Sequence, residues 1–408
     1  MSEWRSNKKL PAIMYYISVN RRSKNIQAEI RKRKRIIALD IIRGYFLIAI
    51  IVDHVPWATS FLFLFSGGGV LFASPAEGFF VISGMLVGYL YGPKILTHTK
   101  DVFRKTWRRA VYLYVLSITL TVFFTLWALL LPEGKIPLPV WNGSVEIFVA
   151  KVLALRYAYG WTDFLPRYVL FMFFAPFMLW LLARGKGWLL AAGSIVVWAV
   201  FGRNVHLLPF SAWQLLFVAG VMIGYYLPQI ELWFKQWPKN IQKVSSTILV
   251  GSAGITYALC LVALLVIPYY TGLPAQIPKD IQIFFDKHTL GFGRIALGTL
   301  WFCALYLLVR RNEQCIQRST LGVVESFGKN SLFTYCSHAV LIFILFMLVD
   351  TSHSYSLLFS TLATLLTIGA MYVVISYKAW ISRVTEALQS TRMSKIRPSF
   401  SKSDSVNT

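Results

Sequence analysis

Long apolar stretches alternate with short polar segments along most of this chain. Several of the stretches reach the roughly 20 residues that an α-helix needs to cross the hydrocarbon core of a membrane. The pattern predicts an all-α, polytopic membrane helix bundle with about ten transmembrane helices. The spans lie at about 37–59, 75–93, 110–131, 164–184, 187–203, 210–228, 245–268, 290–310, 330–350 and 356–378. A shorter apolar segment at 144–159 is interpreted as a helix on the outer face of the membrane.

The positions of the basic residues predict the orientation of the bundle. Lys and Arg are frequent in the loops after the second, fourth, sixth and eighth spans, whereas the loop after the first span has none. Because basic loops remain on the cytoplasmic side of a membrane, we expect both termini in the cytosol. The predicted domains are a basic cytosolic arm at 1–36, a transmembrane domain at 37–378 and a basic cytosolic tail at 379–408.

Composition supports the membrane assignment and excludes a nucleic-acid partner. Of the 408 residues, 56% are hydrophobic and 14% are charged, whereas a soluble domain has about 25% charged residues. The net charge of +24 is concentrated in tails and alternate loops, which is typical of membrane topology. The N-terminal arm lacks the short apolar core of a cleavable signal and is expected to lie against anionic lipid. The four cysteines form no CxxC pair, so we expect no metal site.

The first span contains several ionisable residues, namely Asp40, Arg43, Asp53 and His54. At about 100° per residue, Arg43 and His54 lie on the same helix face, separated by about 16 Å of rise. Pro56 predicts that the helix kinks or ends near His54. Ionisable groups in a membrane are costly and usually functional. Two structural interpretations stay open: Asp40 and Arg43 could form a cytosol-side ion pair, and His54 could be a hydrogen-bonded core residue.

Glu77 enters the second span just after Pro75. It is interpreted either as a helix cap that benefits from the helix dipole or as a partner of His54, since both lie toward the predicted outer side. Asp163 and Arg167 are four residues apart, so a local ion pair is the alternative to substrate binding.

Further polar residues complete the set of candidates. Trp213 could lie in the aromatic belt at the membrane surface, and Gln214 needs a hydrogen-bond partner inside the bilayer. His338 could be a hydrogen-bonded core histidine. The residues assigned to substrate binding are Asp40, Asp163, Arg167, Trp213, Gln214, Arg294 and His338.

These polar segments also form an ordered series of motifs. They are Leu39–Gly44 continuing to Asp53–Pro56, then Pro75–Gly84, Asp163–Tyr168, Pro209–Phe217 and Gly328–Leu332. With these residues the chain resembles the OpgC family of membrane acyltransferases, within the wider acyltransferase-3 and heparan-glucosaminide acetyltransferase group. Arg43 and His54 have the spacing of the wider group's arginine–ten–histidine motif.

The resemblance implies an inner-membrane enzyme that moves an acyl group, of the succinyl or acetyl class, from cytosolic acyl-CoA to a hydroxyl of an extracytoplasmic glycan or glycolipid. Acyl-CoA is then a co-substrate, and no bound cofactor is expected. In the mechanism that follows, His54 removes the hydroxyl proton as general base. Asp53 or Glu77 orients the imidazole, and Arg43 binds anionic parts of the donor or stabilises developing charge.

Three alternatives stay open at this point. The acyl group could pass through a covalent acyl-histidine. The chain could instead be a transporter or flippase for a polar lipid or glycan, with His54 and Glu77 as an intramembrane proton relay. A structural or sensor protein without turnover is the third possibility.

Overall fold

The computed structural model describes residues 33, 35–57, 59–202, 210–351 and 353–396. Within these ranges all regular structure is helical and no strand occurs. Most of the predicted basic arm and the end of the predicted basic tail lie outside the described residues. The helices are α1 (Ile37–His54), α2 (Phe63–Ser66), α3 (Pro75–Tyr91), α4 (Thr99–Leu129), α5 (Val145–Leu153), α6 (Phe164–Ala183), α7 (Gly187–Phe201), α8 (Gln214–Lys235), α9 (Lys239–Thr271), α10 (Lys279–Phe284), α11 (Phe292–Ser319), α12 (Val323–Lys329), α13 (Ser331–Leu348) and α14 (Leu357–Ile396).

Each of the ten predicted spans coincides with one of these helices. Among the described residues, seven helices are long and apolar enough to cross a membrane: α4, α6, α8, α9, α11, α13 and α14. The other three are α7 with 15 residues, α3 with 17, and α1, whose 18 residues include two aspartates and an arginine. The chain is therefore an all-helical membrane protein. The total of ten spans and the location of the termini remain predictions.

The helix α1 lies at the centre of the bundle. It packs against α2, α3, α11, α12, α13 and α14, and 12 of its 18 residues are buried. It ends at His54, and the extended backbone of Val55 follows (φ −63°, ψ 148°), as expected for a residue before proline. The predicted effect of Pro56 is thus confirmed. The ionisable residues of α1 are enclosed by other helices, which is the usual location for charged groups at membrane depth.

Glycines allow α3 and α8 to approach at van der Waals distance. A methyl group at Gly84 or Gly88 would collide with backbone of α8, and one at Gly220 or Gly224 would collide with backbone of α3. On each helix the two glycines are four residues apart, which is the small-residue spacing of close helix pairs in membranes. This contact fixes α3, and with it Glu77, relative to the rest of the bundle.

A second glycine contact joins α1 to the short helix α12. A methyl group at Gly44 would overlap the carbonyl oxygen of Val324, and one at Gly328 would overlap the carbonyl oxygen of Asp40. Both glycines belong to the motifs identified in the sequence. Because α13 begins two residues after α12 ends, this contact also sets the position of α13 beside α1.

Candidate functional site

The most notable polar contact in the centre of the bundle joins two histidines that are 284 residues apart in sequence. The Nδ1 atom of His54, at the end of α1, lies 3.2 Å from Nε2 of His338 on α13. The two rings are nearly parallel, with centroids 5.4 Å apart. His338 is buried, whereas His54 is only partly buried. The accessible imidazole of the pair is therefore that of His54.

Hydrogen bonding determines the tautomer of each ring. Nδ1 of His338 lies 2.6 Å from the carbonyl oxygen of Tyr335, and a carbonyl can only accept, so this nitrogen carries a proton. With both rings neutral, as their enclosure favours, Nε2 of His338 accepts the proton of Nδ1 of His54. The second nitrogen of His54 then has a free lone pair. The arrangement is that of a base whose tautomer is held by a neighbour.

Asp163 and Arg167 lie next to the histidine pair, at the start of α6. Nη1 of Arg167 is 2.6 Å from Oδ2 of Asp163, so the local ion pair considered from the sequence is present. Asp163 is close enough to influence His54 and His338 electrostatically. Its side chain is 64% exposed, although the neighbouring Phe164 is buried. The carboxylate therefore faces an accessible space beside the pair.

Trp213 and Gln214, although adjacent in sequence, have different surroundings from each other. The guanidinium of Arg167 lies 5.5 Å from the ring centroid of Trp213, and Trp213 is buried in the protein core, not exposed at the membrane surface. Gln214 exchanges two 2.8 Å hydrogen bonds with Ser194 on α7. Its amide is thus used in helix packing, and the structure does not bring it to the histidine pair.

Asp53, the residue before His54, is directed to the loop after α2. Its carboxylate lies beside the hydroxyl of Ser66 and the backbone N–H groups of Gly68 and Gly69. Both of these glycines have positive φ, 58° and 74°, and successive N–H groups in such a conformation form a concavity that binds anions. Oδ1 of Asp53 is buried and has no hydrogen-bond partner among the described residues, and His338, not Asp53, contacts the imidazole.

Glu77 also has a different partner from the one expected. Its carboxylate forms a buried ion pair with Arg294 of α11 and accepts a 2.8 Å hydrogen bond from the backbone N–H of Ser74. The capping interaction considered from the sequence is thus present. The alternative, a contact between Glu77 and His54, is wrong, because the carboxylate pairs with Arg294. The reason is that α11 places a buried guanidinium beside the first turn of α3, and a buried charge needs a partner of opposite sign.

The ion pair between Asp40 and Arg43 that the sequence left open is not formed among the described residues. Oδ2 of Asp40 accepts a 2.5 Å bond from Nε of Arg35, just before α1 begins. Nε of Arg43 is buried and has no hydrogen-bond partner within the described residues. Arg43 instead lines a cavity.

This cavity has a volume of about 660 Å³ and lies on the Arg43 side of the bundle. Four basic residues line it, Arg43, Arg109, Lys329 and Lys378, and no acidic residue of the described chain does so. A neighbouring cavity of about 540 Å³ shares Arg43 and Arg109 and adds Lys105 and Arg108. We call this pair of spaces the basic cavity. Such a concentration of cations is suited to a ligand with several negative charges.

Two aromatic residues separate the basic cavity from the histidine pair. Phe164 and Tyr335 both line the cavity, and their ring centroids are 5.3 Å apart. The ring of Tyr335 is also 5.2 Å from that of His338. Arg109, Tyr335 and Lys378 were not predicted as site residues. Arg109 could have been found in the basic loop after the second span, but the places of the other two depend on the tertiary fold.

Together these features define an all-helical membrane protein in which a histidine pair lies beyond the end of a cation-lined cavity. A family model described as OpgC protein matches residues 35–383. The chain therefore belongs to the OpgC family, and the resemblance inferred from its motifs is confirmed. Membership indicates a membrane protein of acyltransferase type. Searches of curated proteins and of solved structures found no match.

Proposed function

We propose that the chain is an integral O-acyltransferase of the cytoplasmic (inner) membrane. It transfers an acyl group of the succinyl or acetyl class from cytosolic acyl-CoA to a hydroxyl of an extracytoplasmic glycan or glycolipid. In this proposal ten helices span the membrane, both termini are cytosolic, and the basic cavity opens toward the cytosol. The observation that supports the proposal most is the state of His54. Its Nδ1 is bonded to His338, so its second ring nitrogen keeps a free lone pair, and the ring lies beyond the basic cavity.

The basic cavity is the proposed donor site. The phosphates of acyl-CoA bind Arg109 and Lys378 at the cavity wall, because clustered cations recognise phosphate through charge-assisted hydrogen bonds; Lys329, which also lines the wall, pairs with Glu325. Arg43 binds the donor deeper in the bundle, where its unpaired Nε is available. The flexible arm of CoA then extends past Phe164 toward His54, over the roughly 16 Å of helix that separates Arg43 from His54.

Acyl transfer at the histidine pair requires one base. The free nitrogen of His54 takes the proton of the acceptor hydroxyl while the oxygen forms a bond to the thioester carbon. The electron pair of the C=O bond moves to the carbonyl oxygen. When this electron pair re-forms the C=O bond, the C–S bond breaks. The sulfur takes the proton from the imidazolium and leaves as free CoA. The nearby carboxylate of Asp163 stabilises the imidazolium, as carboxylates do in hydrolytic triads.

The release of free thiol tests this proposal. The protein in membrane vesicles is given acetyl-CoA or succinyl-CoA, with and without a glycan fraction from the cell surface. We expect glycan-dependent thiol release, and a fall of about 10²–10⁴-fold in His54→Ala, the usual contribution of a general base. His353→Ala is the matched control, since His353 is exposed and pairs only locally with Asp350.

Two results would contradict the proposal. Wild-type thiol release by His54→Ala would refute the base assignment. Movement of the glycan across the vesicle membrane without any thiol release would instead support the transporter alternative.

A further inference from the structure

The indole ring of Trp161 lies beside the accessible imidazole of the histidine pair. Its centroid is 6.3 Å from that of His54, and the two ring planes are inclined by 55°. The indole also stacks on the buried ring of Phe346 of α13, with centroids 5.1 Å apart and an angle of 19° between the planes. Trp161 itself is only partly buried. Phe346 thus supports the indole, while part of the indole surface stays accessible next to His54.

The helix α13 shows on which side of the histidine pair Trp161 lies. Tyr335 lines the basic cavity and accepts a 3.3 Å hydrogen bond from the backbone N–H of Phe164. Phe346, which contacts Trp161, is eleven residues or about 16 Å of helix rise further along α13, and His338 lies between the two. Trp161 does not line the basic cavity. The indole is therefore on the side of the histidine pair that faces away from the proposed donor site.

The short segment that carries Trp161 is fixed by its own hydrogen bonds. Oγ1 of the buried Thr162 donates to the carbonyl of Tyr159 at 2.7 Å, and the hydroxyl of Tyr159 donates to the carbonyl of Leu138 at 3.2 Å. Gly160 has a φ of +69°, a conformation that glycine adopts at no steric cost. Because the segment is ordered in advance, little conformational entropy is lost when a ligand binds to the indole.

The indole N–H of Trp161 is available to a ligand. Other tryptophans of the bundle use this group within the protein: Nε1 donates to Thr364 in Trp57, to the carbonyl of Thr289 in Trp198 and to Thr256 in Trp301. Nε1 of Trp161 donates to no group in the described part of the chain, and it is not among the enclosed polar atoms. An apolar ring surface with a free donor at its edge suits a ligand that is apolar on one face and polar at its rim.

We propose that Trp161 forms a binding subsite for a sugar ring of the acceptor. The proposal rests on the acyl transfer inferred above. A sugar ring has C–H groups on its face and hydroxyls at its edge. The C–H groups pack on the indole at about 4 Å, and one hydroxyl accepts a hydrogen bond from Nε1. A second hydroxyl of the same ring then reaches the free nitrogen of His54, which takes its proton. Trp161 thereby favours a cyclic sugar over water as the acceptor.

Steady-state thiol release by Trp161→Leu, with the surface glycan fraction varied at saturating acyl-CoA, tests the subsite. We expect the apparent KM for the glycan to rise about 10–100-fold, with kcat and the KM for acyl-CoA within about threefold of wild type. Trp161→Phe keeps a ring but lacks the N–H, so its KM for the glycan should rise less, about 3–10-fold. Trp188→Leu is the matched control, because Trp188 is 68% exposed on α7 and has no ring contact with the histidines.

Three results would overturn the proposal. One is an unchanged KM for the glycan in both variants. Another is a rise in the KM for acyl-CoA alone, which would place the donor at Trp161. The third is a loss confined to kcat at saturating glycan, which would mean that the indole only orients His54. Thermal unfolding is measured on each variant, and Trp161→Phe decides the question if Trp161→Leu does not fold. Each of these results leaves wild-type thiol release intact, whereas failure of the proposed function shows as its absence.

Discussion

The two ends of the central helix α1 differ in how their charges are arranged. Near Arg43, the basic cavity collects cations that have few acidic partners. Near His54 there are two acidic groups: Asp163 pairs with Arg167, and Asp53 lies beside backbone N–H groups, although its Oδ1 has no hydrogen-bond partner among the described residues. One helix thus connects a region of concentrated positive charge to a region where acidic groups lie near an imidazole pair.

This difference indicates two tasks that require different electrostatics. A polyanion binds where cations are concentrated and not neutralised. A general base works best where its tautomer is fixed and a nearby carboxylate can stabilise the positive charge that it gains with the proton. We therefore interpret the Arg43 end as the site of donor binding and the His54 end as the site of chemistry.

The largest effect on binding is expected at Arg43. Arg43→Met removes a guanidinium whose Nε is buried and has no partner among the described residues, and the loss of such a charge contact with a ligand typically costs about 2–5 kcal/mol. We expect the Kd for CoA, measured by calorimetry, to rise at least about 30-fold, with kcat at saturating donor within a few-fold of wild type. Arg311→Met is the control, since Arg311 is exposed on α11. A large loss of kcat with an unchanged Kd would reverse the roles assigned to the two ends.

A smaller effect, confined to turnover, is expected at His338. His338→Phe keeps the ring shape but removes the acceptor for Nδ1 of His54, and partners that orient a reactive group commonly contribute about 10–100-fold. We expect that loss in kcat, with unchanged donor affinity. His338→Gln, whose amide oxygen can accept the same bond, should recover part of the rate. If His338→Phe retained the wild-type kcat, the imidazole of His54 would need another source of orientation.

The smallest effect is expected at Asp40. Its partner Arg35 is 59% exposed, and ion pairs with an exposed partner contribute about 0–1 kcal/mol to stability. Asp40→Asn should therefore lower the free energy of unfolding by at most about 1 kcal/mol and leave kcat within twofold of wild type. A fall in activity of more than about tenfold would show that Asp40 acts on Arg43 after all.

The helices could be predicted from the sequence, because long apolar stretches have few other solutions in a membrane. Local relations were also predictable. The end of α1 before Pro56, the cap at Glu77 and the pair of Asp163 with Arg167 all depend on residues within four positions of one another.

Contacts between distant segments could not be predicted in the same way. His54 and His338 are both unusual residues in apolar helices, but nothing in their spacing shows that α13 packs beside the end of α1. That packing depends on Gly44 and Gly328, which appear in the sequence only as small residues. For the same reason one interpretation of Glu77 made it a partner of His54, whereas the fold supplies Arg294 from α11.

The separation of donor binding from chemistry is tested most directly on one variant, His54→Ala, with both quantities measured on the same preparation. Calorimetry with CoA should give a Kd within about threefold of the wild-type value, while thiol release in the presence of acceptor falls about 10²–10⁴-fold. A Kd that weakens in proportion to the lost activity would contradict the account, because the two ends of α1 would then form one binding site.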